Sequence, residues 1–193
     1  MTIEELYKIL LNDKPSEELK NKEKELFVLI PELGICKGFD QKNDWHIYDV
    51  YEHILHVVDY IPNDITLRLA ALFHDIGKPI KYKEDEHGVG HFYGHWDESK
   101  KIFDAFSEKY NIDKELSDSV STLIKYHDIG FDKLTSEDLD KLGIEGIKNL
   151  FIFKRADLLA QNEKYHYVLD DYKNQEDKLL LKLKGVKKYG KRN

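Results

Sequence analysis

Cysteine is almost absent from this chain: its 193 residues include Cys36 alone. No disulfide framework can form within it, a structural zinc site built on cysteine pairs is excluded, and a reducing compartment is the expectation. Long apolar runs are missing too. None approaches the roughly 20 residues of a membrane span. The opening TIEELYKILLND is acidic and amphipathic, where a signal peptide has a basic start and an apolar core. A cytosolic protein with no membrane partner is expected. Period-two alternation persists nowhere, so strands are not expected either. Positive charge is in deficit, the net charge being −7, which argues against non-specific nucleic-acid binding by the chain as a whole. Only KLKGVKKYGKRN, residues 182–193, is basic and free of acid. It reads as a solvated, frayed tail, or as a patch that steers anionic substrates or touches RNA.

What remains is an ordinary globular composition, 41% hydrophobic and 35% charged. It is enough for one well-buried core, so a single all-α domain is expected over 1–193. Residues 1–45 read as N-terminal helices and a loop, with one helix over 2–11 and another over 15–30 that Pro31 stops, followed by loop to Trp45. The core of the domain is expected over 46–172. Helices are predicted over 49–61, over 67–76 with Gly77 and Pro79 ending it, over 95–110, and from Asp113 to about 126. A capping-box pattern at Thr135 and Asp138 marks a short helix, and a last long one is predicted over 145–171. The stretch 81–94 is polar and long enough for a functional loop.

The helix over 67–76 is dense in apolar residues, yet ends on His74 and Asp75 side by side. A carboxylate in such surroundings requires a metal or a cation as partner. In chain order the candidate ligands are His53, His74, Asp75, His95, His127 and Asp157, drawn from five predicted helices or helix ends. Helical proteins build metal centres from side chains on facing helices in this way, and the two oxygens of Asp75 suit a bridge between two ions. Taken singly, each has a plainer reading as a hydrogen-bonded core histidine or an ion-pair partner, Asp157 with Lys154 or Arg155. His46, His56, His87, His91 and His166 are assigned to that plainer class.

At these residues the sequence resembles the HD-domain superfamily of metal-dependent phosphohydrolases, whose signature is His, then His-Asp, then a distant Asp. His53, His74, Asp75 and Asp157 match those positions, and His95 and His127 fall where the two-metal branch carries extra histidines. The stretches LIPELGICKGFDQ, HIYDVYEHILHVV, LRLAALFHDIGKP, GHWDES and KRADLLAQ are similar to the HD domain of bacterial tRNA nucleotidyltransferases. That family's nucleotidyltransferase head has no counterpart in the first 45 residues, so CCA addition by this polypeptide alone is not expected. The resemblance implies a helical bundle with a metal site at its centre. It implies a hydrolase of nucleotide phosphomonoesters or 2′,3′-cyclic phosphodiesters, a small phosphorylated substrate.

On that expectation His53, His74, Asp75 and Asp157 hold one divalent ion, while Asp75, His95 and His127 hold a second or contact phosphate. Water activation and charge neutralisation come from the ions. The ligand types do not separate Mn, Fe, Co, Ni, Mg and Zn, nor one ion from two. Lys78 is expected at the rim as a phosphate contact, or else as a cation favoured by a helix C-terminus. Two other functions fit the same residues: an HD-type di-iron oxygenase, and a nucleotide- or RNA-binding module without catalysis. Oligomeric state is left open by the sequence.

Overall fold

Thr2 opens the first helix, its side chain accepting the Glu5 amide, and α1 (Ile3–Leu10) then buries Leu6, Ile9 and Leu10. The computed structural model describes residues 1–189. In place of one helix over 15–30 it has α2 (Pro15–Asn21) and α3 (Glu23–Leu29), interrupted at Lys22. Pro31 does not stop a helix but starts one, α4 (Pro31–Cys36), where the expectation was loop. The reason is positional: in the first turn the missing N–H has no partner to lose, and the fixed φ is already helical.

Asp49 caps α5 (Val50–Tyr60) and Asp64 caps α6 (Ile65–Phe73), each through its carboxylate. Every residue of α6 from Leu67 onward is buried, and α5 packs on it together with three of the helices that follow in the chain. Arg68 is tolerated there because its guanidinium donates to the carbonyls of Leu10, Asn12 and Ile61, at the C-terminal ends of α1 and α5. The helix stops at Phe73, earlier than expected. His74 and Asp75 therefore lie in the turn beyond it, and Pro79 stands in the first turn of α7 (Lys78–Lys81).

A hairpin follows, β1 (Lys83–Glu84) against β2 (Gly90–His91), antiparallel with Lys83 opposite His91. It is the only sheet among the described residues, so the architecture is all-α as expected. Gly94, at φ 81°, makes the left-handed turn into α8 (His95–Lys109). Asp113 caps α9 (Lys114–Tyr126). The Thr135–Asp138 capping box opens α10 (Ser136–Leu159), which is kinked at Gly143, so the short helix and the next run on as one element. That element ends at Leu159 and not near residue 171, which puts Asp157 in its last turn. A 3-10 segment (Glu163–Val168) leads into α11 (Leu169–Tyr189). Of the basic tail, residues 190–193 lie outside the described residues. No described helix is long and apolar enough to cross a membrane.

Candidate metal centre

The ligands expected from the sequence come together at helix ends. His74 is the C-cap of α6 and His127 the C-cap of α9; His95 is the first residue of α8, Asp157 is in the last turn of α10, and His53 is within α5. The last carbonyls of a helix have no intrahelical partner. The histidines supply one: the His74 Nδ1–H donates to Ala71 O at 2.8 Å and the His127 Nδ1–H to Ile124 O at 2.7 Å. The His95 Nδ1–H donates to Phe92 O at 2.9 Å, and the His53 Nδ1–H reaches Ala160 O, past the end of α10, at 3.4 Å. Each bond fixes a tautomer, because an Nδ1 facing a carbonyl carries the proton. All four Nε2 atoms are then left with a free lone pair.

Those lone pairs converge. Asp75 lies between two groups, one on each carboxylate oxygen. Its Oδ2 is 3.2 Å from both His53 Nε2 and His74 Nε2, and Asp157 Oδ1 completes this side at 3.0 Å from His53 Nε2. Its Oδ1 is 3.0 Å from His95 Nε2 and 3.5 Å from His127 Nε2. The paired imidazoles are equally close, Nε2 to Nε2, at 3.3 Å for His53 and His74 and 3.1 Å for His95 and His127. Acceptors facing acceptors at such distances repel unless a cation lies among them. Asp75 Oδ1 is buried and has no hydrogen-bond donor at all. A buried carboxylate oxygen without a donor is costly, and a divalent ion held among these residues would remove the cost. The donor set, nitrogen and oxygen with no sulfur, fits first-row divalent metals. Burial would raise both carboxyls. With no ion present, Asp75 and Asp157 raise His74 to about 10 against its burial. The proton it then carries, with Lys78 beside Asp75 and His53 beside Asp157, outweighs burial and holds both carboxyls well below the usual carboxylate range.

Lys78 departs from expectation. It is not at a rim but 5% exposed, and its ammonium is fully engaged: Asp75 Oδ2 at 2.6 Å, Gln41 Oε1 at 2.7 Å and His46 Nε2 at 3.3 Å. An ammonium has three N–H donors, and in this structure protein groups take all three, although the residue still lines the cavity described below. His46, which the sequence assigns to the plainer class, is thereby part of the centre's support. Burial first and the neighbouring Lys78 second push it down to about 2, so it stays neutral and accepts from that lysine. No sequence spacing distinguishes it from the other histidines. His56 stacks on Tyr48 instead, with ring centroids 4.2 Å apart, and Arg155 is exposed on the outer face of α10.

The centre opens on a cavity of about 590 Å3. The hairpin segment forms one wall through His91, Phe92 and Tyr93, and both tryptophans of the chain, Trp45 and Trp96, also line it. Phe92 anchors the segment against Tyr82, whereas Tyr93 is 79% exposed at the mouth. Lys154, one turn before Asp157 on α10, reaches the same space. Burial pushes it down to about 8, against the pull of Asp128 and Asp157.

The family model described as HD domain matches residues 44–162, which contain all six expected ligands. The chain is 31% identical, over 81% of its length, to a CC-adding tRNA nucleotidyltransferase of Thermus thermophilus. It is 30% identical, over 51% of its length, to a multifunctional CCA protein of a Janthinobacterium species. It spans 35% of the first of these relatives and 24% of the second.

Proposed function

Because this chain belongs to the HD domain family, whose members are typically metal-dependent hydrolases, we propose that it hydrolyses phosphoesters of small nucleotides, as monoesters or 2′,3′-cyclic diesters. The observation that carries this is the orphaned Asp75 Oδ1 set among imidazoles that each commit Nδ1–H to a backbone carbonyl and turn Nε2 towards the carboxylates. His53, His74, Asp75 and Asp157 would hold one ion, and Asp75, His95 and His127 the other. The ions supply water activation and neutralisation of phosphoryl charge.

The chain's own residues do the rest. Asp75 divides its oxygens between the two groups, and Lys78 fixes that carboxylate by donating to Oδ2, the oxygen that faces His53 and His74. Gln41 and His46 hold Lys78 in turn, so the support is two residues deep before it reaches a ligand. Backbone carbonyls orient the imidazoles, at helix ends for His53, His74 and His127 and in the turn before α8 for His95. Exposed aromatic faces at the mouth, Trp45 stacked on Tyr165 at 3.7 Å and Tyr93 beside His91, suit a nucleobase outside the charged interior. The tRNA-related names of the relatives favour a nucleotide over other phosphoesters.

The test is a release assay on nucleoside monophosphates and 2′,3′-cyclic nucleotides, with Mn, Co, Ni, Mg and Fe added separately to chelator-treated protein. Turnover is expected to require added metal. Metal should also raise the thermal midpoint by about 10 °C, since an ion at a thousandfold its dissociation constant contributes about 4 kcal/mol. Iron-dependent oxygen uptake with no phosphoester turnover would transfer the centre to oxygenase chemistry. Saturable nucleotide binding with neither activity would leave a binding module.

A further inference from the structure

The cavity contains two lysines in opposite circumstances. Lys78 has every donor satisfied by the protein. Lys154 is 8% exposed, yet no described residue offers its ammonium a hydrogen bond or a carboxylate within ion-pair distance. The face of Phe131 lies 5.0 Å from the nitrogen. That ring is itself fixed, stacked on Phe151 at 3.8 Å and met edge-on by Tyr172. The stem of Lys154 is therefore held by aromatic packing while its ammonium has no carboxylate within ion-pair distance among the described residues. The stem is removed from water while the ammonium reaches the cavity, where solvent alone meets it, and an arriving anion would be its first direct partner. Its position on α10, at i−3 from Asp157, puts it on the same helix face as that ligand and towards the same cavity.

We infer that Lys154, and not the lysine of the His-Asp-Ile-Gly-Lys stretch, is the residue that holds a phosphate oxygen of the bound ligand. The assignment rests on the phosphoester reading of the centre and names the group that recognises the substrate's charge. Lys78 is then a positioning residue, acting through Asp75.

Trp45 and Trp96 both line the cavity, so tryptophan fluorescence reports what enters it. Inorganic phosphate, the product of the proposed reaction and not itself hydrolysed, is the probe, titrated into the metal-loaded protein. Lys154→Met, which keeps the stem and removes the charge, should weaken phosphate binding about tenfold or more, and Lys154→Arg should stay within about threefold of the wild type. Metal content by elemental analysis should be unchanged in both. With the best substrate of the release assay, Lys154→Met should raise KM and leave kcat within about threefold. If Lys154→Met does not fold, Lys154→Gln replaces it, with the same expectation. Unchanged phosphate affinity in the neutral variant, or no phosphate binding by the wild type, overturns the assignment. Loss of turnover does not enter this titration. A wild type that binds phosphate through Lys154 but hydrolyses nothing sinks the hydrolase reading alone; one that hydrolyses with Lys154→Met binding phosphate normally sinks this assignment alone.

Discussion

Replacing Asp75 by asparagine should empty both halves of the centre at once. The carboxylate is the one ligand that faces both groups, Oδ2 towards His53 and His74 and Oδ1 towards His95 and His127. An asparagine of the same shape offers one neutral oxygen and one NH2, so it can ligate on one side at most and places a donor on the other. Elemental analysis should find metal falling to a fraction of an ion per chain, and phosphoester turnover should fall by about a thousandfold or more. A second effect is independent of metal. Lys78 would be left buried opposite a neutral group, and breaking a buried pair in this way costs about 3 kcal/mol. The metal-free variant should therefore melt below metal-free wild type, although the exchange removes no atom from the core. Retention of two ions by Asp75→Asn would show that Asp75 does not bridge.

Gly77→Ala should do comparable damage without touching a ligand. A Cβ at this position would stand 2.7 Å from the His95 carbonyl oxygen and 2.7 Å from the Ser99 amide nitrogen, both backbone atoms of the first turn of α8. Neither can swing aside as a side chain would. The Gly77 amide also donates to Ser99 Oγ at 2.9 Å, which ties the turn after Asp75 to that helix. Alanine must push α8 away, and with it His95, whose Nε2 now sits 3.0 Å from Asp75 Oδ1. Destabilisation of about 2 kcal/mol is expected from the overpacking. The more telling result is selective: the His95 and His127 side should lose affinity while the His53, His74 and Asp157 side keeps its ion. Calorimetric titration resolves the two. A variant with wild-type stability and two intact sites would mean that the contact is soft.

The sequence carried the ligand positions better than the element boundaries, and there are physical reasons for the difference. His74 and Asp75 stand out because charge after a solid apolar run demands a partner, a demand visible in one dimension. Boundaries depend on which of two rules wins. Pro31 both forbids the interior of a helix and favours its first turn, and only packing decides between them. The gap between α10 and α11 has no proline or glycine to announce it. It is held by Asn162, whose backbone amide donates to Trp45 O at 2.8 Å and whose side-chain amide donates to Asp44 O at 3.1 Å. Those partners are more than a hundred residues away in the chain, beyond any local window. Lys154 enters the sequence reading only as an ion-pair partner of Asp157, and the fold shows Phe131 over it and no carboxylate within ion-pair distance among the described residues.

The placing of ligands at helix termini makes helix length a coding variable. In α6 and α9 the imidazole is aimed by the last free carbonyls, so its direction follows from the residue at which the helix stops. Each residue of a helix turns the chain by about 100°. A single insertion or deletion inside α6 or α9 would thus leave an apolar helix of nearly unchanged character whose terminal histidine points out of the centre. The tip of the hairpin between β1 and β2 has no such constraint, because nothing there is aimed. Divergence in this chain can run through loop length and cavity-wall residues, while the count of residues in its central helices is held to the unit.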